Sequence, residues 1–259
     1  MGVEYSFLCG YSYAWQAGYK PKAFTRLEKF LLSEKPDSES DFAKKLIIKD
    51  RVLVQQIHDS YGKLGFLFLS RDYIRKVNGK HPLAHIYVSY HLYNFIYDSK
   101  AFLDALAVML NDFYSIGEAK GVWIDLKHKP FREKVIKKEA RLEKIMRRYE
   151  NWFSIVANWR NKLIHRFSTT IAPFMSTDHG LHEITKEELD QSSRLPCMML
   201  VEPRPLLTGG LKELEKKYGK GNTFREIDPF CEEWIHKACD LYDQTCSAIA
   251  DTLDMRFKS

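Results

Sequence analysis

The chain has 259 residues, 45% of them apolar and 14% aromatic, which is enough to bury a sizeable core and too apolar for a disordered segment. Its formal charge of +6 suits an anionic partner and is also ordinary for a soluble protein. The five cysteines are odd in number and contain no CxxC pair, which argues against a disulfide framework or zinc knuckle and for a reducing, cytoplasmic setting.

The stretch from Met1 to Tyr19 has neither a basic start nor a continuous apolar core, so it does not read as a signal peptide. No apolar run approaches spanning length. The best one, Ala101–Leu110, carries Asp104, and no membrane partner is expected. Residues 1–80 read as an N-terminal helical region packed on the rest. Lys22–Leu32 and Asp41–Tyr61 are amphipathic helical patterns separated by a turn-rich stretch in which Asp37 or Ser40 can cap. Gly62 and Gly65 are expected to break the second pattern. Phe66-Leu67-Phe68-Leu69 is of ambiguous type, and a further helical turn or two ends at Asn78-Gly79.

Residues 81–259 read as one helical domain. Pro82 opens a helix that runs to Gly117, with Leu92, Phe95, Ile96, Phe102, Leu103, Leu106, Met109, Leu110 and Phe113 on one stripe. A second long helix is expected from Phe131 to Phe167, its seam marked by Val135, Leu142, Tyr149, Val156 and Leu163 at heptad spacing. Prolines, Gly209-Gly210 and a polar run make 168–227 an irregular insertion. Short helices are expected there at Lys186–Asp190 and Leu211–Tyr218, with a candidate strand at Cys197–Val201. Asp228-Pro229 then starts the last helix, with Asp as N-cap. The expected fold is all-α, an antiparallel helical bundle with the insertion before its last helix.

Arginine followed by histidine after four to six residues occurs three times, at Arg51/His58, Arg75/His81 and Arg160/His165. The Arg75 match crosses the Asn78-Gly79 turn, and the Arg51 match spans seven positions of one helix. The third ends a strong helical pattern, with Asn161 one turn before His165. Lys137, Lys144, Asn151, Asn158 and His165 lie a heptad apart and grade from cationic to amide groups, as a surface for a polyanion does. The plainer reading of this stripe is a solvated helix face laced with pairs such as Glu133–Lys137. Arg160 falls on the apolar seam, where a guanidinium needs an anion or carbonyl partner; alternatively, Arg160 and His165 cap a helix C-terminus. Asp178-His179-Gly180-Leu181-His182-Glu183 reads as a polar surface loop, and no metal site or cofactor is expected.

Arg160-Asn161-Lys162-Leu163-Ile164-His165 resembles the RNxxxH form of the motif of the HEPN superfamily of helical domains. The order of helices over about 83–167 and 228–255 is similar too. The resemblance implies a metal-independent endoribonuclease of a toxin or phage-defence system. It would act as a homodimer with facing motifs, with RNA as substrate and an antitoxin or regulatory protein as partner. His165 would then be general acid or base, Arg160 the phosphate clamp and Asn161 an orienting group. Asp104 comes next as a polar residue from the first helix, with Asp98 after it. The product would carry a 2′,3′-cyclic phosphate. Lys137, Lys144, Arg148, Asn151, Asn158 and Lys162 would contact RNA. Phe167 stands where toxins controlled by nucleotidyltransferase antitoxins carry a modified tyrosine, so that form of control is not expected. The alternative is a non-catalytic helical module that binds RNA, a nucleotide or a protein.

Overall fold

The structure is a computed structural model, and it describes residues 14, 17–23, 26–27, 41–77, 81, 83–117, 123–165, 171–177, 180–183, 198–201 and 224–258. The expected helical bundle is present. It comprises α1 (Asp41–Lys76), α2 (Ala84–Phe113), α3 (Lys129–Lys138), a 3-10 turn at Ala140–Leu142, α4 (Glu143–Arg148), α5 (Glu150–His165) and α6 (Ile227–Lys258). Among the described residues no helix is long and apolar enough to cross a membrane. The chain divides into two compact units. One is Met1–Leu69 with Asp98–Ala157 and Ile235–Ser259; the other is Ser70–Tyr97 with Asn158–Trp234.

In the first unit Tyr242 is fully buried, with its ring 5.9 Å from Tyr61 and 6.2 Å from Phe102. A phenol at that depth needs a partner, and its hydroxyl donates to the Ile57 carbonyl at 2.8 Å. Near the N-terminus, Tyr19 donates to the Cys239 carbonyl at 3.0 Å and accepts from Tyr61 on its own carbonyl at 2.5 Å. Arg26 is paired with Asp251 and Asp254.

α1 does not break at Gly62 and Gly65. Both glycines are buried, between the fully buried Tyr61, Leu64 and Leu67. An interior glycine costs a helix about 1 kcal/mol, whereas each large apolar side chain buried contributes about 1.5–3 kcal/mol, so packing outweighs propensity and Phe66–Leu69 is helical. α2 keeps its expected stripe, with Leu92, Phe95, Phe102, Leu106 and Leu110 all fully buried. It is followed by Gly117 at φ +79°, a left-handed conformation that glycine adopts without strain.

The second long helix is interrupted twice. Glu139 leaves helical geometry at φ −141°, ψ 87°, and Tyr149 does so at φ −107°, ψ 8°. Glu139 is buried. Its carboxylate accepts from the Arg141 backbone N–H at 3.1 Å and from the Arg141 guanidinium at 2.6 Å and 2.5 Å. Thr252 donates to it at 3.0 Å. Tyr149 donates to Asp240 at 2.8 Å. These polar partners, Arg141 beside the break and Thr252 and Asp240 from α6, hold the chain out of an α-helix that the heptad pattern alone favours.

In the second unit Arg75 grips Asp228 through two nitrogens, at 2.6 Å and 3.0 Å, and reaches Glu232 at 2.6 Å. Arg71 meets Glu232 at 2.9 Å, so α1 and α6 run antiparallel there. α6 starts at Ile227, one residue before the expected cap, and Asp228 lies in its first turn, where a carboxylate suits the helix dipole.

The insertion is not irregular throughout. β1 (Ile171–Thr177), β2 (Gly180–Glu183), β3 (Met198–Val201) and β4 (Phe224–Glu226) form an antiparallel sheet in the order β2-β1-β3-β4. β3 meets the strand expected at Cys197–Val201. Gly180–Glu183 is strand rather than loop, with His182 opposite Met175. β1 pairs with β3 through Pro173 and with β2 from Phe174 onward, so its proline sits at the changeover, where a missing N–H is tolerated. The helices expected at Lys186–Asp190 and Leu211–Tyr218, and most of that expected at Lys22–Leu32, lie outside the described residues.

Burial alone raises the Glu139 pKa, but hydrogen bonds from Arg141 and Thr252 outweigh it and hold the carboxyl below its ordinary value. A depressed carboxyl stabilises the fold above the unfolded pKa of about 4.3. This contribution is lost as pH falls through the folded value. Glu139→Gln is therefore expected to cost about 1–2 kcal/mol at pH 7, a deficit that shrinks toward pH 3. Urea unfolding across that range checks it, and a deficit independent of pH would refute the charge-based account.

Candidate functional site

The RNxxxH segment closes α5, and the aromatic residues before it anchor the helix. Trp152, Phe153, Val156, Ala157 and Trp159 are buried along one side of this helix, at the three- and four-residue steps of an amphipathic face. Within the second unit Trp159 packs on Phe230 of α6 with ring centroids 5.9 Å apart. Phe230 in turn lies 4.5 Å from Trp234, and Phe95 of α2 lies 6.2 Å and 6.1 Å from these two rings. Arg160 follows directly on this four-ring cluster. It is half-buried, in keeping with its seam position, and its guanidinium donates to Asn161 Oδ1 at 3.3 Å. Among the described residues it has no carboxylate partner. Asn158 and Asn161 are exposed. The side chains of Lys162 and His165 lie outside the described residues.

Four other described arginines behave differently. Arg71 and Arg75 are engaged by Asp228 and Glu232 as above. Arg132, buried, donates to the Leu126 and Lys127 carbonyls at 2.7 Å and 2.8 Å and meets Glu150 at 3.3 Å. Arg141 is held by Glu139 and by Asp251 at 3.1 Å. Arg75 of the second arginine–histidine match thus serves to join two helices.

The RNA-contact residues expected upstream share exposure but not one helix. Lys137 is on α3, Lys144 and Arg148 are on α4, and Asn151 and Asn158 are on α5; all are exposed. The breaks at Glu139 and Tyr149 mean that these residues do not follow the slow drift of a single heptad stripe. Arg148 is partly neutralised by Asp240 at 3.3 Å. Lys137 and Lys144 have no ion-pair partner among the described residues.

The acidic candidates belong to the first unit. Asp104 is ion-paired with Lys100, which also meets Asp125 at 3.2 Å, so its charge is already compensated. Asp98 is the more perturbed carboxyl. Burial pushes its pKa up to about 6, against the pull of Lys63. Periodicity places such a residue beside the apolar stripe but says nothing of its depth, so spacing alone ranks it below Asp104. Among the described residues no group of three or more His, Cys, Asp and Glu is placed to hold a metal ion.

Comparison with known proteins adds one finding. A family model described as Cthe2314-like HEPN matches residues 42–217, which takes in the motif, nearly all of α1 and most of the insertion, and stops before α6. No curated protein and no solved structure matches.

Asp98 offers a test of its surroundings. A carboxyl raised from about 3.9 when unfolded to about 6 when folded costs nothing below pH 4. The penalty develops between those values and is complete above the folded pKa. Asp98→Asn is expected to stabilise the protein by about 1–2 kcal/mol at pH 7.5 and to be neutral at pH 3.5. Thermal melts at the two pH values measure this; no gain at pH 7.5 would count against a desolvated carboxylate.

Proposed function

Because the chain belongs to the HEPN superfamily, as a Cthe2314-like member, we propose that it is a metal-independent endoribonuclease with its chemistry at Arg160, Asn161 and His165. The observation that carries this reading is the guanidinium of Arg160. It is half-buried beside an aromatic cluster, and its described hydrogen-bond acceptor is a neutral amide. A cation so placed favours an anion, and a phosphodiester with its flanking oxygens fits the fork of an arginine.

RNA brings its own nucleophile. The imidazole of His165 accepts the proton of a 2′-hydroxyl as that oxygen bonds to phosphorus. The bond from phosphorus to the 5′-oxygen then breaks, and its counterpart in a second copy of the chain donates a proton to the leaving oxygen. Arg160 holds the charge that builds on the non-bridging oxygens, with Asn161 as its tether. A 2′,3′-cyclic phosphate remains on one product. Lys137, Lys144, Asn151 and Asn158 are the exposed groups that hold the rest of the strand. Asp104 has no role in this scheme, since Lys100 already neutralises it. The facing of two motifs in a homodimer and a toxin or defence role under an antitoxin belong to the same proposal.

RNA cleavage in EDTA by the wild-type chain, His165→Ala and Arg160→Ala tests it. The expected losses are about 10²–10⁴-fold for the histidine and about 10²–10³-fold for the arginine, with a cyclic phosphate at the new 3′ end. Equal cleavage by all three proteins would assign the activity to a contaminant. RNA binding without cleavage by the wild type would favour a non-catalytic module.

A further inference from the structure

The stretch between Asp72 and Asp98 contains no carboxylate but holds Arg75, Lys76, Lys80, His81, His85 and His91. In it α2 and the turn before it present an uncharged face to solvent. Leu83, Ile86, Tyr87, Tyr90 and Tyr97 are 45%, 50%, 46%, 61% and 37% exposed, and their spacing puts them on one side of the helix. Large side chains exposed together call for an explanation that single ones do not. At its edge is a ring stack: His91 lies on Tyr73 of α1 with centroids 4.8 Å apart and planes 8° from parallel. Tyr90 meets the same imidazole edge-on at 5.2 Å. The Lys76 ammonium lies 6.0 Å from the centre of the Tyr73 ring.

We propose that this tyrosine face is a platform on which unpaired bases of single-stranded RNA stack, with Lys76 beside it for the backbone. The inference rests on the ribonuclease reading and names its substrate class. Aromatic rings accept any base by its face, and a cation beside them takes the phosphate. The stretch adds no carboxylate of its own to repel a polyanion, and Asp228 and Glu232, which lie against Arg75, are paired there. Arg160 belongs to the same compact unit as this face, so strand and scissile bond engage one body. A second copy of the chain is the competing occupant. A half-exposed large side chain offers roughly 100 Å², so five offer about 500 Å². A stable interface takes about 800 Å² from each partner, and this face alone falls short.

The test is fluorescence anisotropy with the full chain carrying His165→Ala, so that bound RNA is not cut. The probes are labelled oligo(A) and a blunt RNA duplex. Oligo(A) is expected to bind more tightly than duplex. Tyr87→Ala with Tyr90→Ala in that background should weaken oligo(A) binding about 10- to 100-fold, whereas Tyr87→Phe with Tyr90→Phe, which keeps both rings, should restore it. Unchanged affinity in the alanine pair overturns the platform, as does equal binding of duplex. A fall in sedimentation coefficient of the alanine pair with RNA affinity kept overturns it in favour of a second copy. Cleavage by the chain with His165 intact is scored separately. Single-strand binding through the tyrosines without cleavage sinks the catalytic reading alone. Cleavage with an unchanged KM in the alanine pair sinks the platform alone.

Discussion

Trp159 resting on Phe230 is the contact on which the position of the motif depends. Arg160 follows Trp159 directly, so the direction in which its guanidinium leaves the helix is set by how firmly that indole is held. Phe230 comes after an insertion of about sixty residues, and closing a loop of that length costs about 4 kcal/mol in chain entropy. Four buried rings, Phe95, Trp159, Phe230 and Trp234, at about 1.5–3 kcal/mol each, outweigh that cost. The Arg75 clasp on Asp228 and Glu232 fixes the start of α6, which carries two of those rings. An ionic contact at the surface is weak by itself; here it sets which turn of one helix faces which turn of another.

The arrangement of charge follows a consistent division. Arg75, Arg132 and Arg141, which join elements of one unit, are each met by two or more acceptors. Arg160 is met by an amide. Burial alone does not set Arg160 apart, since Arg132 is more deeply buried; among the described residues, the nature of its acceptor does.

The helical faces were legible in the sequence because burial in a bundle is periodic. Leu92, Phe95, Phe102 and Leu106 stand where the pattern put them, and Gly117 marks an end that only a left-handed residue makes without strain. Two features were not legible, for different reasons. The glycines of α1 look like breakers, and only the packing of Tyr61, Leu64 and Leu67 shows that the helix continues. The seam through Leu142 and Tyr149 has a flawless heptad spacing, yet the chain leaves the helix at Glu139 and Tyr149 because Arg141, Thr252 and Asp240 offer better hydrogen bonding. Heptad counting registers apolar positions and is blind to polar partners from distant segments. For the candidate site, sequence named Arg160 and Asn161 and put Arg160 on the seam. The four-ring cluster that anchors them joins segments too far apart for any local pattern to reveal. The tyrosine face carried its signal openly, as a long stretch without carboxylates, and needed exposure values to distinguish it from core.

The placement of Phe230 after the insertion also bears on synthesis. The ribosome finishes α5 some sixty-odd residues before it makes the ring that holds its end. At about 5–20 residues per second, that interval lasts from about three to about a dozen seconds. Throughout it, the RNxxxH segment exists without its clasp, next to the ribosomal RNA from which the chain is emerging. On the ribonuclease reading proposed above, a phosphate clamp aligned only by a late-made helix would spare the machinery that is still building the chain.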